Sequence, residues 1–459
     1  MTGNKSVLAL LGLLVAALAL VAAGCGGGDD GDTEVTALPS SSCTAIEYEG
    51  EGDPDVLIAS DLPLQGPSSA VTEQMVAAIR QMLDNYEWKA GDYNVAYQSC
   101  DDSTAQAANY DTGKCSQNGN AYAVNDSLVG VLGTYNSPCA AIIIPLLNKA
   151  KGGEDGTPNP EAIPLFSAAN TWPCLTVNLA GACEANGTDK YYPTTTRNYL
   201  RVAPSDDYQG AFVAEYAKDQ GVTKAYILND KESYGEGVAG TTRRAMEHVG
   251  IEIVGDEAWN PKASSYEALM NKIKGTGADA IFLGGLISEN GGQVIKDKVA
   301  VLGPNDGAVK LFAPDGFQTQ ASIDESGGAA AGGFFSNAGA PIDKITGAAA
   351  AEFGAQLKAG ALKDVPLQAY AMYSGQSAQV LLDAIAASDG SRESIIEQLF
   401  ATEVTDGIIG SFSFNENGDP LDASGAVVAF TMYKATTEVM ESVFTDSPSP
   451  EVVAAAQGT

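Results

Sequence analysis

Histidine is almost missing from this 459-residue chain; His248 is the single example. General acid–base relays, His-dependent triads and most zinc sites need an imidazole. His248 sits in Arg243-Arg244-Ala245-Met246-Glu247-His248, on the polar side of an expected helix. That placement supplies none of these and counts against most hydrolases. Positive charge is scarce as well. Lys and Arg total 25 against 58 Asp and Glu, a formal net charge of −33. Such a chain repels nucleic acid and anionic headgroups, so nucleic acid is not expected as a partner. The acidity favours solubility and identifies no ligand. None of the seven cysteines forms a Cys-x-x-Cys, so metal binding has little support. No short-period repeat is visible, and no cofactor is expected.

What is there begins at the N-terminus. Lys5 is a minimal positive n-region, Val7 to Ala23 an apolar h-region, and Ala22-Ala23-Gly24-Cys25 resembles a bacterial lipobox. The run is too short for a spanning helix and lacks a basic stop-transfer flank. Residues 1–24 therefore read as a lipoprotein signal peptide, with Cys25 as the lipidated first residue. The protein would then be exported and lipid-anchored to the outer face of the cytoplasmic membrane. An ordinary cleaved signal with a chance Cys is the plain alternative. Loss of Lys5 and of no acid leaves 24 − 58 = −34. Residues 25–45 read as an acidic, Gly-rich tether.

Six cysteines remain, an even number that in an exported chain implies disulfides with fifteen formal connectivities. Cys174 and Cys183 flank a short polar loop and are expected to pair. Cys100 and Cys139 each follow an expected strand of one sheet and are paired next. Elimination leaves Cys43 with Cys115.

The body alternates strand and helix. Strands are expected at 55–60, 93–98, 128–133 and 163–166, with helices between them. The series restarts near Arg201, with strands at 225–228, 252–254, 280–283 and 310–313. About 415 residues in two successive α/β series suit two domains with parallel sheets covered on both faces. Gly332 to Asn337 reads as a return crossing. Helices at 342–358, 374–387 and 391–401 rejoin the first domain. Phe412-Ser413-Phe414 and residues 427–432 read as a hairpin around Asn415 to Asp419. The Pro/Ser-rich then Ala-rich end reads as frayed.

Ligands of open parallel sheets bind at the carboxyl ends of strands. Leu62 to Pro67, Gly133 to Pro138, Ser167 to Pro173, Lys231 to Gly237 and Pro314 to Phe317 occupy such places. Their chemistry suits a zwitterion. Ser137, Thr171 and the amides of a helix starting after Ser137 favour a carboxylate. Asp315, in the opposing half, favours an ammonium. Tyr135, Trp172 and Tyr234 offer apolar walls. Taken singly, each has an ordinary structural reading as cap, turn or core residue. An exported enzyme using Asp101 and Asp102 is disfavoured, because adjacent strand-end side chains point apart and no nucleophile joins them.

From Asp55 to about Tyr433 the chain resembles the leucine/isoleucine/valine-binding proteins, solute receptors of branched-chain amino acid ABC importers. The resemblance rests on Pro63-Leu64-Gln65-Gly66-Pro67, the Gly133-to-Cys139 loop, Arg201-Val202-Ala203-Pro204-Ser205-Asp206-Asp207 and Asp230 to Gly237. Pro314-Asp315-Gly316, Gly410 to Phe414 and Asn417-Gly418-Asp419-Pro420 complete it. It implies an α/β fold: a type I periplasmic-binding-protein clamshell with two Rossmann-like lobes, parallel β-sheets and three crossover strands. Lobe 1 would hold residues 46–202 and 336–409, lobe 2 residues 203–335 and 410–445, and 446–459 a flexible tail. The resemblance implies that Ser137 and Thr171 hold a ligand carboxylate, that the Ala169 carbonyl and Asp315 hold its ammonium, and that Tyr234 lines the cleft. Asn136, Tyr135 and Trp172 complete the expected ligand set. It also implies hinge closure on the ligand. Asp315 stands where the family often has Glu, and Val71 and Leu286 stand where aromatics are common. The expected function is delivery of an amino acid, or a related small metabolite, by a non-enzymatic monomer to an ABC permease. A sensory module of the same fold, or a receptor for amides, urea or aromatic acids, is the alternative.

Overall fold

The computed structural model describes residues 35–459 apart from 108, 180–182, 184–186, 340–346 and 422–427. The expected signal peptide, Cys25 and the start of the tether lie outside the described residues. The first half runs β1 (Val56–Leu62), α1 (Ser69–Asn85), β2 (Lys89–Ala90), β3 (Tyr93–Asp101), β4 (Ser103–Thr104), β5 (Asn109–Tyr110), α2 (Thr112–Val124), β6 (Leu128–Gly133), α3 (Ser137–Asn148), β7 (Leu165–Ser167) and β8 (Tyr199–Arg201). The second runs α4 (Asp206–Asp219), β9 (Lys224–Asn229), α5 (Ser233–His248), β10 (Glu252–Ala258), α6 (Glu267–Thr276), β11 (Ala280–Gly284), α7 (Gly292–Leu302), β12 (Lys310–Ala313), α8 (Gln320–Glu325) and β13 (Phe334–Ala338). Then come α9 (Ala348–Ala359), α10 (Ala369–Ala387), α11 (Arg392–Phe400), β14 (Glu403–Gly407), β15 (Gly410–Phe414), β16 (Pro420–Leu421), β17 (Phe430–Ala435), β18 (Met440–Asp446) and α12 (Pro450–Gln457).

Two large sheets result. One has the order β2-β3-β1-β6-β7-β8, the other β10-β9-β11-β12-β13-β17-β18. Pairing in the first is parallel from β3 through β8. In the second it is parallel from β10 through β13 and antiparallel at β17 and β18. All seven residues of β1 are buried, as a strand covered on both faces requires. Helices α9 to α11 return to pack on α1 and β6 of the first half. The chain thus passes between the halves three times: after β8, after β13 and after β16. These are two lobes of the expected architecture.

Several expectations are corrected. The second half of the expected tether is docked: Val35 and Leu38 are buried, and residues 42–47 run antiparallel beside β3. Cys43 therefore meets Cys100 (Cα–Cα 3.9 Å) and not Cys115. Cys139 bonds Cys115, not Cys100, with Cα atoms 5.6 Å apart. β1 lies between β3 and β6, so strand ends two places apart are about 9–10 Å from each other, beyond disulfide reach. Cys115 and Cys139 instead start the two packed helices α2 and α3. Cys174–Cys183 forms as expected.

The closing hairpin is also corrected. β15 pairs with β14 and with the short β16 around the Asn415–Asp419 turn, while β17 joins the second sheet. The frayed tail is not found. β18 extends the second sheet, and α12 buries Val452, Val453 and Ala456 against α4 and α5.

Candidate functional site

The first lobe contributes three loop segments. β6 ends at Gly133, which has φ +153° and whose Cβ would come 2.5 Å from the Asp61 carbonyl oxygen; only glycine fits there. The next residues lead into α3, which has Asn136 at its N-cap position and Pro138 in its first turn. Asn170 ties this loop to the one after β7 by donating from Nδ2 to the carbonyls of Thr134 (2.9 Å) and Tyr135 (3.0 Å). Ser137 Oγ accepts from the Trp172 amide at 3.4 Å. Arg201, wholly buried, fixes the second loop. It donates to the Asn170 carbonyl (3.3 Å), the Trp172 carbonyl (2.8 Å), Thr176 Oγ1 (2.7 Å) and Asp419 Oδ1 (2.7 Å). Thr171 is held between two of these anchors.

In the second lobe, buried Asp230 braces two loops. It accepts from the Glu232 amide and the Leu286 amide, both at 2.9 Å. Burial raises its pKa to about 8. Tyr234 on α5 then donates to Asp315 Oδ1 at 2.6 Å and accepts from the Gly316 amide at 3.2 Å. Tyr370, on α10 of the first lobe, donates to Asp315 Oδ2 at 2.7 Å. The Tyr135 and Tyr370 rings meet edge to face at 5.9 Å.

Tyr135, Asn136, Ser137, Ala169, Thr171, Tyr234, Leu286, Asp315 and Gly316 line one narrow pocket. Seven of the eight residues expected at the site are among them. Trp172 is not. Its ring packs against Tyr191 (6.4 Å), and Gly237 on α5 leaves it room, since a Cβ there would meet Trp172 Cδ1 at 2.5 Å. Val71 is buried in α1 and does not line the pocket; Leu286 does.

The pocket is electrostatically lopsided. The first-lobe side presents hydroxyls and the positive end of α3. The other side presents buried Asp315, whose pKa burial raises against the lowering pull of the Tyr234 and Tyr370 hydroxyls. Asp206, the first residue of α4, lies directly behind Thr171 and donates its amide to the Thr171 carbonyl at 2.8 Å. Burial, and then repulsion by Asp315, hold its carboxyl well above the usual range. Both Asp206 carboxyl oxygens, Thr171 Oγ1, Asn136 Oδ1 and both polar atoms of Gln209 are buried without a hydrogen-bond partner among the described residues. Unpaired buried polar atoms are costly, and a concentration of them at one place marks a site shaped for a polar guest.

Sequence reading missed Tyr370, Gln209 and the role of Asp206. Asp206 stood inside a phrase quoted for its resemblance; Tyr370 had no local signal at all. The Asp101/Asp102 pair is not an acid pair. Asp101 caps a turn by accepting from the Leu64 amide (3.0 Å) and the Ser103 amide (2.8 Å). Asp102 is buried near the Cys115 and Cys139 sulfurs, which the disulfide removes as metal ligands. His248 is exposed at the end of α5.

Comparison with known proteins follows the same line. The periplasmic binding protein family model matches residues 56–431. The chain is similar to the Leu/Ile/Val-binding protein BraC3 of Rhizobium johnstonii, at 27% identity over 246 residues, or 52% of this chain and 61% of that protein. The match thus spans about three fifths of that relative's length. Among solved structures, the leucine binding protein LivK of Thermotoga maritima superposes with a TM-score of 0.70 at 19% identity, covering 86% of this chain and 99% of that one. A solute binding protein of Rhodopseudomonas palustris, solved with p-hydroxybenzoic acid, gives 0.68 at 16% identity over 86% and 98%. At these identities the structural likeness concerns the fold.

Proposed function

The chain belongs to the periplasmic binding protein family, and on that premise we propose that it is an extracytoplasmic receptor that encloses a small amino acid and passes it to an ABC permease. The observation that carries this reading is one pocket walled from both lobes, with Ser137, Thr171 and the α3 terminus facing Asp315. A carboxylate is matched on one side and an ammonium on the other. The fold neighbour solved with p-hydroxybenzoic acid raises the rival of an aromatic acid. Buried Asp315 in the pocket wall, with Asp206 behind Thr171, disfavours an anion that brings no cation to offset it. Leu286 supplies an apolar wall that suits an aliphatic side chain.

The binding step is enclosure. Contacts already bridge the lobes: Tyr370 to Asp315, Tyr110 Oη to Glu232 Oε2 (2.6 Å) and Asn109 Nδ2 to Ser288 Oγ (2.9 Å). Hinge opening would break these and admit ligand. The three disulfides suit an oxidising compartment. No helix among the described residues is long and apolar enough to cross a membrane. The lipobox-like Cys25 supplies the proposed anchor, and the protein is proposed to work as a monomer.

A thermal-shift screen of the twenty L-amino acids, followed by calorimetry, tests the reading. Asp315→Asn should weaken binding of any hit roughly 10- to 100-fold, the worth of a charge-assisted bond. Unchanged affinity in Asp315→Asn, or binding of benzoate with none of an amino acid, would overturn it.

A further inference from the structure

Asp315 lines this pocket, Asp206 is buried behind its Thr171 wall with its amide on the Thr171 carbonyl at 2.8 Å, and the two carboxyl groups are close enough for their charges to repel. Their hydrogen bonding differs sharply. Asp315 receives two phenolic protons, from Tyr234 at 2.6 Å and Tyr370 at 2.7 Å. Asp206 has only the Thr171 hydroxyl close by, and neither of its oxygens accepts a well-formed hydrogen bond, while Gln209 leans toward Asp315. Hydroxyl donors favour an ionised acceptor, so the pair is asymmetric: Asp315 is built to be the anion and Asp206 the acid.

Among the described residues Arg201 is the cation that pulls on Asp206, and burial and Asp315 outweigh it. Arg201 is committed to Asp419 and to three other acceptors. The other groups that influence the pair are Asp207, also on α4, Tyr234 on α5, Tyr370 on α10, and Tyr135 in the loop after β6. Asp207 adds negative charge and the phenols add none.

We propose that the ligand-free receptor stores one proton on Asp206 and releases it when a ligand ammonium enters, so that binding is an exchange of one cation for another. This inference rests on the amino-acid reading above. Balance is simple: the Asp206 carboxylic acid becomes carboxylate, the proton passes to solvent, and the ammonium supplies the positive charge that lets both acids ionise together. A ligand lacking a cationic group would bind without release.

The probe is whichever of the twenty L-amino acids gives the largest thermal shift with the full chain. Its binding heat is measured near neutral pH in phosphate and in Tris, buffers of different ionisation enthalpy. The expected result is release of roughly one proton per molecule bound, with affinity rising up to about tenfold per pH unit until Asp206 is ionised without ligand. Asp206→Asn should still bind but lose both the release and the pH slope. Asp206→Glu, which keeps an acid, should retain release if the Asn variant folds poorly. Asp207→Asn should retain it as well. Binding with heats that do not depend on buffer overturns the proposal while leaving the receptor reading intact, and so does release that persists in Asp206→Asn. Absence of binding by all twenty amino acids overturns both.

Discussion

Replacing Arg201 by Met should damage fold and site together, through one side chain. Arg201 is wholly buried, with four donor contacts between 2.7 and 3.3 Å. Its charge is matched by Asp419, whose side chain is only 16% exposed. The variant strands a mostly buried carboxylate, two carbonyls and the Thr176 hydroxyl. Breaking one side of a buried pair costs about 3–5 kcal/mol, because the surviving partner keeps its desolvation penalty. Arg201→Lys should recover part of this: charge remains, but the fork that reaches Asp419, Trp172 and Thr176 at once is gone. Urea unfolding followed by far-UV dichroism gives the stability loss. The double variant Arg201→Met with Asp419→Leu should lose less than the two single losses summed. Thr171 lies between the two carbonyls that Arg201 holds, so any folded Arg201→Met should also bind amino acid more weakly. A stability loss below about 1 kcal/mol would show that the network is not holding this loop.

Other expectations follow from the same coordinates. Tyr110→Phe removes the inter-lobe bond to Glu232, worth about 1 kcal/mol, and should weaken ligand binding roughly fivefold without touching the pocket; small-angle scattering should show a more open average shape, and unchanged affinity would argue against a latch. Peptide mapping should recover Cys43–Cys100, Cys115–Cys139 and Cys174–Cys183 and no other pairs. Removing Cys43–Cys100, with a sequence separation of 57, should cost about 4 kcal/mol, against about 2.5 for Cys174–Cys183 with a separation of 9, in denaturant titrations. Buried Asp61, next to Asp102, has its pKa raised to about 7. The folded state therefore holds a proton that the unfolded chain has lost, and Asp61 by itself should lower stability by at most about 1.4 kcal/mol per unit as pH rises from about 4 to 7, on top of slopes of the same sign from the other raised acids Asp102, Asp206 and Asp230. Asp61→Asn should make the total slope shallower by that share; a slope unchanged by the substitution would assign it wholly to the other acids.

Much of the fold was legible because its strands are short apolar runs with both faces covered. β1, β6 and β11 each show as unbroken burial, and β12 is buried after Lys310. What misled was partner choice, which local pattern does not encode. Cys100 and Cys139 do follow strands of one sheet, yet the strand order puts β1 between them. Phe412 to Phe414 does form a hairpin at the Asn415–Asp419 turn, but with the two-residue β16, too short to register as a strand. The Pro/Ser-rich and Ala-rich end has a composition that suits a frayed tail. Its helix is stable because Val452, Val453 and Ala456 find a groove between α4 and α5.

The site divides along the same line. Ser137, Thr171 and Asp315 each follow a strand, so the rule that ligands gather at strand carboxyl ends located them from sequence. Tyr370 belongs to a helix that reaches the pocket only because the chain has crossed back from the second lobe to the first. Its bond to Asp315 joins residues 55 apart in sequence. Asp206 begins the helix just after the first crossing, where its backbone reads as an ordinary helix start with two acids in the first turn. Asp207 conforms to that reading, accepting from Gln457 at 2.7 Å. Asp206 does not, because its side chain is buried with only the Thr171 hydroxyl beside it and no well-formed hydrogen bond to either oxygen. The crossings therefore serve as more than hinges. They deliver to the pocket the residues that decide its charge when ligand is absent, and the exchange of proton for ammonium is where that charge becomes measurable.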